Sequence, residues 1–81
     1  MTVMPRDSLT TSELAAVRLI ARIVREVRDE YPDGELCIAQ FRAPNEYKLF
    51  MAAARRLGVM HLTLEAALSA LESADEWSVA A

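Results

Sequence analysis

Residues 50–72 read FMAAARRLGVMHLTLEAALSALE, two helix-forming runs on either side of a single glycine. In the first run Phe50, Ala53, Ala54 and Leu57 recur at the three-and-four spacing of one helix face. Arg55 and Arg56 stand in its last turn, where cations complement the helix dipole, and Gly58 is placed to end it in the left-handed conformation. In the second run Leu64, Leu68 and Leu71 form a core stripe, while Ala67, Ala70 and Ala74 make a smooth ledge that lets a neighbour approach closely. The spacing predicts one helix over 45–57, with Asn45 as N-cap and Glu46 in the first turn, and a second over 62–76.

Upstream, Thr10 and Glu13 have the spacing of a capping box, and the run that follows contains no Gly or Pro until Pro32. This predicts a long amphipathic helix over 10–31. At ~100° per residue its apolar side chains fill an arc ~160° wide, while Arg18, Arg22 and Arg25 share the opposite face. That arc exceeds the ~100° stripe with which a helix seats on its own core. Either the remaining helices of the chain cover it, or it packs against a second copy. The expectation is a homodimer, with Val17, Ile20, Val24 and Val27 in the seam. The arginine face reads as solvated and salt-bridged, because Arg22 and Glu26, and Arg25 and Asp29, are four apart.

Residues 35–42, ELCIAQFR, are too short for period to separate helix from strand. Asp33 is a fair N-cap and a strand without a partner would be unstable, so a short helix ending before Pro44 is expected. Residues 1–9 read as a flexible leader and 78–81 as a tail. The fold class is therefore all-α: one domain over 10–77, of about four helices.

Composition agrees. Of 81 residues 53% are apolar and 26% charged, with fourteen Ala, ten Leu and eight Arg against two Gly and three Pro. Such a chain has too much apolar surface to be a disordered tail and too few turn residues for a many-stranded barrel. The net charge of −3 disfavours wholesale electrostatic binding to nucleic acid, although a local basic patch stays open. The single Cys37 lies in an apolar stretch and reads as a buried, inert thiol, which fits a reducing cytoplasm. The first twelve residues have no apolar signal-peptide core, and no run approaches the ~20 residues that span a bilayer. No membrane association is expected.

No catalytic constellation can be assembled. His61 is the only histidine, with no Cys or acid at a metal-ligand spacing, and reads as a polar residue at a helix start. The two glycines are too far apart to form a phosphate loop. A non-enzymatic protein with no cofactor and no metal is expected.

Residues 50–72 resemble the helix-turn-helix of bacterial transcription regulators, most closely the LysR type, through Phe50, Ala53, Ala54, Leu57, Gly58, Val59, Thr63, Leu64, Leu71 and Glu72. The long helix with Asp33, Gly34, Glu35 and Leu36, then Gln40, Phe41 and Arg42, is similar to the start of a MarR-type repressor. The resemblance implies a helix-turn-helix-like C-terminal half whose second helix presents Met60, His61, Leu62, Glu65, Ala66 and Ser69 outward. The departures are chemical. Base reading depends largely on Arg, Lys, Asn or Gln at such positions, and Glu65 and Glu72 carry the wrong sign for phosphate. No two-stranded wing is expected after the second helix.

Two functions follow as expectations. One is a small regulatory protein that binds another protein through Met60, Leu62, Glu65, Ser69 and Trp77: an anti-activator, an adaptor or a phage-type inhibitor. The other is a dimeric DNA-binding regulator with Arg42, Lys48, Arg55, Arg56 and His61 as candidate DNA contacts.

Overall fold

Thr10 starts the first helix as its sequence requires. Its hydroxyl accepts from the Glu13 backbone N–H at 3.1 Å, and its own N–H donates to Glu13 Oε1 at 3.0 Å. In the computed structural model, which describes residues 8–77 (only the backbone at Trp77), the element order is β1 (Ser8–Thr10), α1 (Thr11–Val27), α2 (Glu35–Arg42), α3 (Pro44–Leu57), α4 (Leu64–Glu72) and β2 (Asp75–Trp77). The all-α expectation holds for four helices, with a two-stranded parallel ribbon added.

Helix α1 is the centre of the molecule and touches α2, α3, α4 and both strands. Its wide apolar arc is thereby covered within one chain. Val17, Ile20 and Val24 are fully buried and Val27 nearly so. These four do not form a surface seam for a second copy, which corrects the dimer-interface expectation. Each such aliphatic side chain stabilises the fold by roughly 1.5–3 kcal/mol when fully buried. Around them close Leu9, Ala39, Phe50, Ala53, Ala54, Leu68 and Leu71. α1 also stops at Val27 rather than at residue 31, through a turn in which Glu30 and Tyr31 donate to the Val27 carbonyl. Pro32 disfavours helical backbone at Tyr31, so the last turn cannot be completed.

Helix α2 forms where a short helix was expected, although Asp33 does not cap it. α3 follows after the single residue Ala43, whose N–H donates to Ala39 O at 2.9 Å. It begins one residue early. Pro44 occupies the first helical turn, where its missing N–H and fixed φ cost nothing, so Asn45 lies inside the helix instead of capping it. Gly58 ends α3 at φ 72°, ψ 32°. Its N–H reaches Arg55 O at 3.2 Å, and Val59 N–H reaches Ala54 O at 3.1 Å, the paired bonds of a Schellman ending.

Helix α4 is shorter than expected. Thr63 caps it by accepting from Ala66 N–H at 3.3 Å, and it ends at Glu72 rather than 76. Residues 75–77 instead pair in parallel with 8–10, in the register Ser8–Asp75, Leu9–Glu76 and Thr10–Trp77. Ser8 and Leu9, expected in a flexible leader, are buried. Leu9 anchors the strand in the core, and Thr11 Oγ1 donates to Glu76 Oε1 at 2.9 Å beside it. The rest of the leader (1–7) and the tail (78–81) fall outside the described residues.

Candidate functional site

The charges sort into those spent within the chain and those left over. Arg25 donates to Glu72 Oε1 at 2.8 Å and to Glu65 Oε1 at 3.0 Å, and Arg28 donates to Glu65 Oε2 at 2.7 Å. The expected Arg22–Glu26 pair does not form among the described residues, and Arg25 of the α1 stripe pairs across to α4 instead of with Asp29. The reason is geometric: α1 ends before Asp29, so Arg25 has no helical neighbour four residues on. Hydrogen bonds from Arg28 and Arg25 hold the Glu65 carboxyl below its ordinary value, and bonds to Glu72 and Glu65 push Arg25 up. Glu65, expected to meet a partner, is already engaged. Ser69 stays exposed on the same helix.

Arg56 is likewise consumed, which removes it from the candidate DNA contacts. It donates to Glu13 Oε2 at 2.7 Å and Oε1 at 2.8 Å, and to the Ser8 carbonyl at 2.9 Å. The Arg56 guanidinium holds Glu13 below the usual carboxylate range against the opposing effect of burial, and Glu13 in turn raises Arg56. Arg42, Lys48 and Arg55 are exposed, and none has a carboxylate within ion-pair distance among the described residues.

The apolar residues outside the core converge on one place. An open cleft of about 150 Å³ lies between α2, α3, the turn and α4. α2 supplies Leu36; α3 supplies Phe50, Met51 and Ala54; the turn supplies Val59, Met60 and Leu62; α4 supplies Leu64 and Ala67. Met60 is 52% exposed and Leu62 38%, so both stand at the open side. The structure thus brings together two of the five expected partner-binding residues. His61 lies between them in the turn and is exposed. For Trp77 the described backbone pairs with Thr10, and its side chain falls outside the described residues.

A second groove adjoins the first. It is lined by Gln40, Tyr47, Lys48, Ala52 and Arg55, and by Met51, which also lines the cleft. Sequence reading passed over Leu36 and Met51 because their contribution depends on how α2 seats against α3. A signal was available for Met51, a large apolar residue off the α3 core stripe, but not for Leu36, whose segment is too short to show a face.

Two further features bear on chemistry. Cys37 is exposed, contrary to the buried thiol expected, because α2 turns only Ala39 fully into the core. Phe41 on the same helix is 86% exposed. Among the described residues no group of three His, Cys, Asp or Glu side chains could hold a metal ion, and no helix is long and apolar enough to cross a membrane. Neither a family model nor a curated protein nor a solved structure matches the chain.

Proposed function

We propose that the chain is a small regulatory protein without catalytic activity, acting in the cytoplasm by binding another protein as an anti-activator, an adaptor or a phage-type inhibitor. The observation that carries this reading is the apolar cleft with Met60 and Leu62 at its open side. Apolar side chains held around a depression are what a protein interface buries at its centre. The outer face of α4 adds to it, since its Glu65 and Glu72 are paired with Arg25 and Arg28 and it carries no free cation to meet a phosphate backbone.

The test is co-purification from the native host with and without nuclease, using the wild type and Met60→Ala/Leu62→Ala. A protein retained through nuclease by the wild type, and lost by the double variant, supports the reading. Central anchors of this kind are worth ~1–4 kcal/mol each. A nuclease-sensitive association overturns it.

A second reading, a dimeric DNA-binding transcription regulator of helix-turn-helix type, draws on the α3–turn–α4 arrangement and on Arg42, Lys48 and Arg55, cations without an ion pair among the described residues. Its homodimer would need a surface other than Val17, Ile20, Val24 and Val27, and Phe41 is one exposed apolar group open to it. Selection from random duplexes that enriches a palindromic site would favour this reading over the first.

A further inference from the structure

We propose that the partner presents an acidic amphipathic helix, its apolar side chains entering the cleft and its carboxylates meeting Lys48 and Arg55 across Met51. This rests on the protein-binding reading and gives it a chemistry.

The first argument is continuity. Met51 belongs to both depressions, so the apolar cleft and the groove holding Lys48 and Arg55 adjoin at that side chain. At ~100° per residue, Phe50, Ala54, Met51, Arg55 and Lys48 follow one another around α3, apolar first and cationic last. The cations are seven residues apart, ~10 Å along the helix axis, a two-turn spacing that carboxylates on one side of a second helix can match.

The second is charge complementarity. In a chain of net charge −3, Arg25, Arg28 and Arg56 are neutralised internally. Lys48 and Arg55 are exposed without a carboxylate partner among the described residues, and no acid lines their groove. On α4, Glu65 and Glu72 are held by Arg25 and Arg28. The unbalanced charge lining the groove beside the cleft is thus positive, and it calls for an acidic flank on the occupant.

The third is size. The adjoining groove holds about 330 Å³ and the apolar cleft itself about 150 Å³, less than the ~300–1,000 Å³ within which a site encloses a whole ligand, so the apolar part takes an anchor group only. It suits one or two inserted side chains, as when a helix lays apolar anchors three, four and seven residues apart into a groove. A nucleic-acid backbone would meet the cations but leave Met60 and Leu62 facing polar groups, with little apolar surface removed from water.

The test uses displayed helical peptides of about 15 residues. They carry Leu or Phe as anchors, with flanking positions free to be Glu, Gln or Lys. The wild type should enrich Glu on one flank. Lys48→Glu/Arg55→Glu should bind those peptides ~10-fold more weakly and enrich Lys instead, while Lys48→Gln/Arg55→Gln should lose the preference. Met60→Ala/Leu62→Ala should weaken binding whatever the flank. Circular dichroism checks that each variant keeps its helices. Apolar peptides enriched without charge preference overturn the acidic partner and leave the protein-binding reading standing; no enrichment at all overturns both. Tight binding of duplex DNA that the charge reversal abolishes, with no peptide able to compete, assigns the cations to phosphate and overturns the proposal.

Discussion

Arg56 grips both oxygens of Glu13, at 2.7 and 2.8 Å, and so joins the last turn of α3 to the first turn of α1. The same carboxylate completes the cap of α1, and the same guanidinium holds the Ser8 carbonyl of β1. One pair therefore ties three elements together. The side chain of Glu13 is 9% exposed and that of Arg56 30%, so neither charge is well solvated if the other is lost. Arg56 Nε already lacks a partner among the described residues.

Replacing Glu13 with Gln keeps a residue able to cap but strands the arginine. The expected loss is ~1–3 kcal/mol, below the range for fully buried pairs because Arg56 retains some solvent. Urea unfolding measures it. An unchanged midpoint would mean that the pair contributes nothing.

The same carboxylate sets an acid limb of stability. Its folded value lies below the ordinary 4.5, so the folded state binds this proton less readily than the unfolded chain. The stabilisation is present above the unfolded value and is lost as pH falls through the folded one. Wild-type unfolding free energy should thus decline below about pH 4.5, and Glu13→Gln should flatten that decline. Parallel acid limbs for the two proteins would assign the pH dependence elsewhere.

At Gly58 a Cβ would meet nothing within 4 Å, so substitution costs only the positive φ. Gly58→Ala should lose ~1 kcal/mol and Gly58→Val more, because β-branching resists the left-handed region. Thermal melting of the two variants decides it; equal and unchanged midpoints would show that the turn tolerates a shift out of that region.

What could be read from sequence was whatever is local. Thr10, Glu13 and Gly58 act within one turn of themselves, and the α3 and α4 stripes at Phe50, Ala53, Leu68 and Leu71 are buried as their spacing requires. The ribbon was not legible, since two three-residue strands from opposite ends of the chain have no measurable period and find each other only once α1 and α4 have packed. The site divides the same way. Met60 and Leu62 stand off the core stripe in the sequence itself, whereas the spending of Arg56 on Glu13, and of Arg25 on Glu65 and Glu72, is a tertiary choice.

Cys37 lies on the outer side of α2 and should react fully with a disulfide reagent in the native state. Its replacement by Ser should change stability by less than ~0.5 kcal/mol, as expected for a surface position. Labelling that requires denaturant would place the thiol in an interface or in the core.

Val24 offers the sharpest test of how the wide apolar arc of α1 is satisfied. The residue is fully buried, within a core shared by α1, α2, α3 and α4. An Asp there has no cation to pair with among these apolar neighbours, and desolvating its carboxylate would exceed the margin of so small a domain. Val24→Asp should therefore lose its helical circular dichroism at any protein concentration. Val24→Ala, which only opens a cavity, should stay folded with a loss of ~1–3 kcal/mol. Were α1 sealed by a second copy instead, the Asp variant would persist as a folded monomer, and wild-type stability would rise with protein concentration as mass action demands. Sedimentation and thermal melting across a hundredfold concentration range separate the two cases. A concentration-independent wild type with an unfolded Val24→Asp places the arc inside one chain, and a folded monomeric Val24→Asp places it between two.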